Sequence, residues 1–460
     1  MSESTTPQSM APSEKKKTSI LTKPVIEWAL WDWGSAAFNA VATTFVFSVY
    51  LTSDGTFTDK GTASDYLSWG LFAAGIIIAL LAPITGQRAD RRGKGGLALT
   101  VFTILVVICL ALMFFVAPEG PLGPRGGLFL GIALLGIGNI FFEFASVNYN
   151  AMLNHLSTKE NMGRISGLGW GSGYVGGIVL LLILYVGLIS PEVGWFGITH
   201  ANGLHIRVSM VIAAAWMLLS ALPLMLHPVK PRHIDEHHGE HETLWDSYRK
   251  LWSTVKSLAK ESPHTLFFLA ASAVFRDGLA GVFTFGAILA GTAFGFSSSE
   301  VIIFAIAANI VAGIATIAMG ALDDIIGPKR LIVISLSCMV IAGMSVFFLH
   351  NGGKIIFWTF GLALCVFVGP TQSASRSFLG RMIPEGREGE VFGLYATTGR
   401  AVSFLAPAMY GIFLAFGRNW TPAGADYTYW GILGIILILA LGLVMTLFVH
   451  PAKARLDSLK

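Results

Sequence analysis

Twelve long apolar runs decide what this chain can be. They lie near residues 28–51, 66–87, 97–117, 126–150, 165–190, 208–226, 264–290, 300–321, 331–350, 355–375, 391–416 and 428–449. About 20 apolar residues make one helical crossing of a bilayer. Lipid offers no partner for backbone N–H and C=O groups, so each run must bond to itself and is expected to be helical. Of the 460 residues 54% are apolar and only 13% charged, which excludes a set of soluble domains and a disordered chain alike. The sequence predicts an all-α membrane protein with twelve transmembrane helices.

An even number of spans returns both chain ends to one side. Twenty-four of the 31 Lys and Arg fall in the segments on that side, among them Arg88, Arg91, Arg92, Lys94, Lys159, Arg164, Lys329, Arg330, Arg381 and Arg387. Lys60, Arg125, Arg207, Lys354 and Arg418 lie opposite, and Arg276 and Arg400 fall inside spans. The positive-inside rule then predicts cytoplasmic termini in a cell-membrane protein. No soluble basic face is present to bind nucleic acid. Cys109, Cys338 and Cys365 sit far apart in apolar runs and read as small packing residues. The first run is too long for a signal-peptide core and lacks a small-residue cleavage site, so it is expected to stay as the first helix.

The long segment 227–263 divides the spans six and six. The expected organisation is a tail over 1–27, a bundle over 28–226, the linker 227–263, a second bundle over 264–449 and a tail over 450–460. In the linker, Leu244, Tyr248, Leu251, Trp252, Val255 and Leu258 form one helical stripe, with Arg249, Lys250, Lys256 and Lys260 off it. That pattern predicts a basic amphipathic helix on an anionic membrane surface. His233, His237 and His241 recur at four-residue spacing, but Pro231 and Gly239 beside them favour a solvated linker over a metal face.

The two bundles carry an internal repeat. After the second span the chain reads GQRADRRGKG, with Gly86, Asp90, Arg91, Gly93 and Lys94. After the eighth it reads GALDDIIGPKR, with Gly320, Asp324, Gly327 and Lys329 at the same Gly–Asp–Gly spacing. The fifth span opens with Gly167, Leu168 and Gly173, matched in the eleventh by Gly393, Leu394 and Gly399. Both matches are offset by six spans, as for two parallel copies of a six-helix unit. The glycines allow close backbone approach, and the aspartate can cap the positive end of a neighbouring helix. These loops are expected to gate the face carrying the termini.

The pattern G-x-x-x-D-R-x-G-[KR] at 86–94, with its weaker echo at 320–330, resembles the signature of the major facilitator superfamily. Within it, WDWGSAAFNAVATTFVFSVYL (31–51), FRDG (275–278) and the Gly399–Arg400 pair resemble the vacuole-effluxer-like, or "unknown major facilitator", family. The resemblance implies two pseudo-symmetric six-helix bundles and a secondary transporter. It also implies amino acids as solute, because the characterised branch is implicated in releasing them from the fungal vacuole.

A charge at the bilayer centre costs ~2.5–3.5 kcal/mol on the mildest scale. Asp32, Glu143, Arg276, Asp277 and Arg400 fall inside spans and must pair, face water or protonate. Two readings of span 7 stay open: Arg276 and Asp277 receive the carboxylate and ammonium of a zwitterion, or Arg276 neutralises Asp32 or Glu143. Asp32 and Glu143 can join an inner gate with Arg400 or carry a coupling proton. Asn39, Asn139, Asn148 and Gln372 add uncharged polar groups, read first as helix-to-helix bonding partners. Gly369-Pro370 and Pro407 are expected to kink spans 10 and 11. Gly171, Gly173 and Gly176 match G-x-G-x-x-G, yet no strand precedes them, so they read as a face for close helix contact rather than a nucleotide site.

No Walker motif, nucleophile elbow or metal box appears, so neither an enzyme nor a cofactor is expected. The reading is a monomeric transporter of a small polar solute by alternating access, preferentially amino acids in the efflux direction, with protons as the candidate coupling ion. Sugars, organic acids, peptides or drugs as solutes, and a membrane sensor without transport, are the alternatives.

Overall fold

The computed structural model describes residues 20–53, 55–230, 243–383, 386–422 and 425–450. His233, His237 and His241 lie outside them. Among the described residues, twelve helices long and apolar enough to cross a membrane occupy Lys23–Thr52, Thr62–Arg91, Gly95–Phe115, Gly123–Leu156, Met162–Ile189, Ala201–Leu226, Pro263–Thr292, Glu300–Ile326, Pro328–Phe348, Lys354–Met382, Glu388–Trp420 and Thr428–Leu447. They are numbered here as spans 1 to 12. Local signals set several ends. Asp59 accepts the Thr62 N–H at 2.9 Å to start span 2, and Ser297 with Glu300 forms a capping box for span 8. Pro263 and Pro328 open spans 7 and 9, where a missing N–H costs nothing.

Several spans depart from a regular α-helix. Span 1 runs as α-helix over Lys23–Ala36 and widens to a π-helix over Ala37–Phe45. Span 10 carries a π segment at Phe357–Gly361 and continues through Pro370. Span 11 breaks between Ala401 and Leu405. Pro407 lies in the first turn of the second piece, so the break precedes the proline rather than occurring at it.

One apolar core is built from spans 1 to 6, from Val25 to Leu224. The other runs from Leu258 to Val449 and also takes in Ile78, Ala82, Phe144, Val147 and Ala151 from spans 2 and 4. Those five residues lie toward the face that carries both chain ends, so the cores merge there. Span 2 packs on span 11 and span 8 on span 5, the same pairing exchanged between the halves. Toward the opposite face span 1 leaves Asn39, Thr44, Phe45 and Val49 exposed.

The linker helix Leu244–Glu261 is capped by a Thr243/Asp246 box. Its inward face differs from the expected stripe: Ser247, Thr254 and Leu258 are buried, whereas Trp252 is 61% exposed. Polar residues point inward because they bond there. Arg88 Nε donates to Ser247 Oγ at 3.1 Å, and Tyr248 donates to the Leu80 carbonyl at 3.0 Å.

Candidate functional site

The repeated loops fold alike and reach across the molecule. Gly93 and Gly327 both turn the chain with positive φ, 58° and 89°. Spans 5 and 11 start at Met162 and Glu388 with no side-chain cap from their own N-cap residues, Asn161 and Arg387. The other half supplies it. Asp90 accepts the N–H groups of Gly389 at 3.0 Å and Glu390 at 2.9 Å. Asp324 accepts those of Gly163 at 2.7 Å and Arg164 at 3.1 Å. Each aspartate thus satisfies the second and third orphan donors of a helix belonging to its opposite half, against the positive end of that dipole.

Glycine is required for this fit. A Cβ on Gly86 would stand 2.0 Å from the Gly389 carbonyl oxygen, and one on Gly320 would stand 2.8 Å from that of Gly163. Further polar contacts reinforce both caps. Gln87 donates to Glu390 at 2.9 Å, and Arg91 lies close enough to Glu390 to act on it electrostatically. Arg381 bridges Asp323 at 2.6 Å and Asp324 at 2.9 Å, and Ser377 also donates to Asp323.

The glycines of span 5 face two neighbours. A Cβ on Gly167 would meet the Thr316 carbonyl at 2.7 Å and one on Gly171 would meet Ile317 at 2.4 Å, both on span 8. Gly169 and Gly176 instead seat Trp28 and Trp33 of span 1. The G-x-G-x-x-G match is therefore helix-packing surface.

Deeper in the molecule, the intramembrane charges sort into three groups. Asp32 pairs with Arg376 of span 10 at 3.8 Å and accepts from Tyr149 at 3.3 Å and Ser35 at 3.1 Å. Arg376 is 1% exposed and donates to Ser166 Oγ at 3.0 Å, the Ser166 carbonyl at 2.6 Å and Asn150 at 3.2 Å. Glu143 pairs with Arg400, which also reaches Asn139 at 3.5 Å. Arg276 and Asp277 meet neither carboxylate of the first half. Arg276 donates to the Tyr395 carbonyl at 2.9 Å and stacks 3.7 Å above that ring, while Asp277 accepts the Ala406 N–H at 2.6 Å. Both are turned onto the broken span 11, where Asp277 caps its second piece. Asn39 stands two turns beyond Asp32, exposed at the head of the π segment, where its carbonyl accepts from Thr43 at 2.6 Å and Thr44 at 2.7 Å.

Arg376 is the residue that the sequence concealed. The apolar run stops at 375, which places Arg376 among the loop cations, whereas the helix continues to Met382. Its last turns are polar because they are buried against the first half: Ser373 donates to Ser166 at 3.0 Å, and Asn154 donates to the Gly380 carbonyl at 2.9 Å. Serines recurring at 373, 375 and 377 with an arginine between them were the available signal.

Two six-helix halves, joined at one face by exchanged helix caps and ion pairs, make up a transporter fold of the major facilitator class. Solved structures agree. A proton:xylose symporter, XylE, superposes with a TM-score of 0.67 at 15% identity, covering 93% of this chain and 94% of its own. The transporter FucP in its outward conformation gives 0.68 at 14% identity over 94% and 100%. A bacterial homologue of the iron transporter ferroportin, outward-facing, gives 0.66 at 14% over 94% and 99%. The chain belongs to the vacuole effluxer Atg22-like family, whose profile matches residues 56–457. YxiO of Bacillus subtilis, an MFS-type transporter by name, is 25% identical over 95% of this chain and 96% of its own. Autophagy-related protein 22-1 of Aspergillus fumigatus is 24% identical over 63% of this chain, a match spanning 49% of the fungal protein. The protein is thus an integral membrane transporter for a small molecule, not an enzyme.

Proposed function

We propose that this transporter exports amino acids by alternating access, its halves rocking over a chamber between 28–226 and 264–449. The reciprocal capping of spans 5 and 11 by Asp324 and Asp90 carries the reading. It is a contact made wholly between the halves, built from backbone N–H groups that water can satisfy once the halves part, so it can be broken and remade each cycle. Gly86, Gly93, Gly320 and Gly327 shape that gate, and Arg91 attends it. The Lys and Arg distribution supports a cytoplasmic gate in the cell membrane. Amino acids as solute rest on kinship with the vacuole effluxer family, whose characterised branch is implicated in releasing them.

Asp32 and Glu143 are the carboxylates through which a proton gradient can drive the cycle. Each lies inside a span and each is paired with an arginine of the other half, so parting the halves removes its partner. Purified protein in liposomes, offered radiolabelled amino acids and sugars with and without a pH gradient, tests the proposal. Gradient-stimulated amino-acid flux supports it. Flux of sugars alone, or none, removes it.

A further inference from the structure

The partners of the Arg376 guanidinium all belong to the half of the molecule that does not contain Arg376. Trp28 and Asp32 come from span 1, Tyr149 and Asn150 from span 4, Ser166 and Trp170 from span 5. The guanidinium carbon lies 5.0 Å from the Trp28 ring centre, 5.2 Å from Trp170 and 5.7 Å from Tyr149. Asp32 supplies a carboxylate at 3.8 Å. Aromatic faces attract organic cations through the negative charge of the ring face, and more strongly where water is excluded.

The cage holds its own shape. Trp28 and Tyr149 stack at 4.4 Å, nearly parallel at 5°. Trp31 stacks on Tyr149 from another position at 4.4 Å. Trp28 Nε1 donates to the Tyr149 carbonyl at 3.0 Å, Trp31 Nε1 to Thr103 at 3.0 Å, and the Tyr149 hydroxyl to Asp32 at 3.3 Å. Spans 1, 3 and 4 make these contacts without help from span 10. Arg376 therefore enters a receptor that the first half has already built.

Alternating access separates the halves at this face, and separation withdraws Arg376. What stays behind is a carboxylate, the rings of Trp28 and Trp170 with Tyr149 stacked behind, an amide and a serine carbonyl. We infer that the vacated cage binds an organic cation, a guanidinium or an ammonium other than an α-amino group of the solute, which changes places with Arg376 once per cycle. A proton satisfies the carboxylate alone; the rings, Asn150 and the Ser166 carbonyl suit a larger cation with several donors. Return of Arg376 as the halves close displaces the solute. This inference rests on the transport reading and narrows its substrates to solutes bearing such a group, cationic amino acids and amines first.

Equilibrium binding to the purified full-length protein tests it, with radiolabelled agmatine, L-arginine and L-leucine as probes. Agmatine carries the guanidinium without a carboxylate, and leucine carries no side-chain cation. Wild-type protein is expected to bind agmatine and arginine more tightly than leucine. Asp32→Asn should weaken agmatine at least tenfold, and Trp170→Leu, on a half-buried ring, severalfold. Arg376→Ala should tighten agmatine, because the cage then stands vacant without opening. Should Arg376→Ala fail to fold, Trp170→Leu and Asp32→Asn still decide the matter. Leucine bound while agmatine is not leaves the amino-acid reading intact and overturns the cage. Agmatine binding unchanged in both Asp32→Asn and Trp170→Leu overturns it as well, and failure of all three probes removes both readings.

Discussion

Asp90 and Gly389 stand 299 positions apart, yet the carboxylate of one accepts the backbone N–H of the other at 3.0 Å. The counterpart contact, Asp324 to Gly163 at 2.7 Å, repeats the arrangement with the halves exchanged. Neither Asn161 nor Arg387, the N-cap residues of these two helices, supplies a side-chain cap. The contact between the halves at this face is thus also what caps spans 5 and 11.

Replacing Asp90 by Asn keeps one acceptor but loses the charge that faces the helix dipole. Loss of a cap costs about 1 kcal/mol, enough to shift a two-state equilibrium roughly fivefold. Asp90→Asn should slow turnover more than it weakens solute binding, and should raise thiol labelling at the face carrying the termini. A variant changed in Kd alone would contradict the assignment.

Gly86→Val tests the fit more severely. The β-carbon has no room beside the Gly389 carbonyl, 2.0 Å away, and both neighbours are backbone. Membrane insertion should persist while transport falls below a tenth of wild type. Gly75, whose Cβ would meet nothing within 4 Å, provides the control: Gly75→Ala should transport normally.

Arg400 and Glu143 are partly exposed, so their pair is worth less than a sealed one. Each single neutralisation, Glu143→Gln or Arg400→Gln, should still lower thermal stability, because it leaves the other, half-buried charge without its ionic partner. The double variant should recover part of that loss. Thermal melting of the four proteins in detergent measures the coupling, and additive losses would mean the pair does not act as one.

Asp277 is expected to act through the break in span 11. The amide oxygen of Asp277→Asn can still accept the Ala406 N–H, so its melting temperature should stay near wild type. Asp277→Leu leaves that donor buried without a partner and should cost roughly 1–3 kcal/mol. Equal stability of the two variants would exclude the capping role.

Much of this arrangement was legible in the sequence, and the rest was hidden for identifiable reasons. Apolar runs located the spans because lipid compels each to be helical and long. The Gly–Asp–Gly repeat pointed to helix capping because only glycine permits such approach and only an acceptor suits a helix start. Pairing was harder. Asp32, Glu143, Arg276, Asp277 and Arg400 were visible as intramembrane charges, but their partners lie on other helices, at distances that spacing along one helix does not encode. Arg376 escaped because its helix ends in a polar stretch buried against protein rather than lipid, which an apolar-run criterion cuts short. Trp252 misled for the converse reason: its ring faces outward beside Lys256, 5.6 Å away, while Ser247 and Thr254 take the inward places through hydrogen bonds.

The most direct test of the rocking mechanism is a disulfide between positions 166 and 373, whose hydroxyl oxygens are 3.0 Å apart across the two halves. Ser166→Cys with Ser373→Cys, in a chain whose Cys109, Cys338 and Cys365 are replaced by Ala, should cross-link on oxidation. Solute flux in liposomes should then stop, and a reductant should restore it. Cross-linked protein that carries solute at its reduced rate would show that the halves need not part at this face.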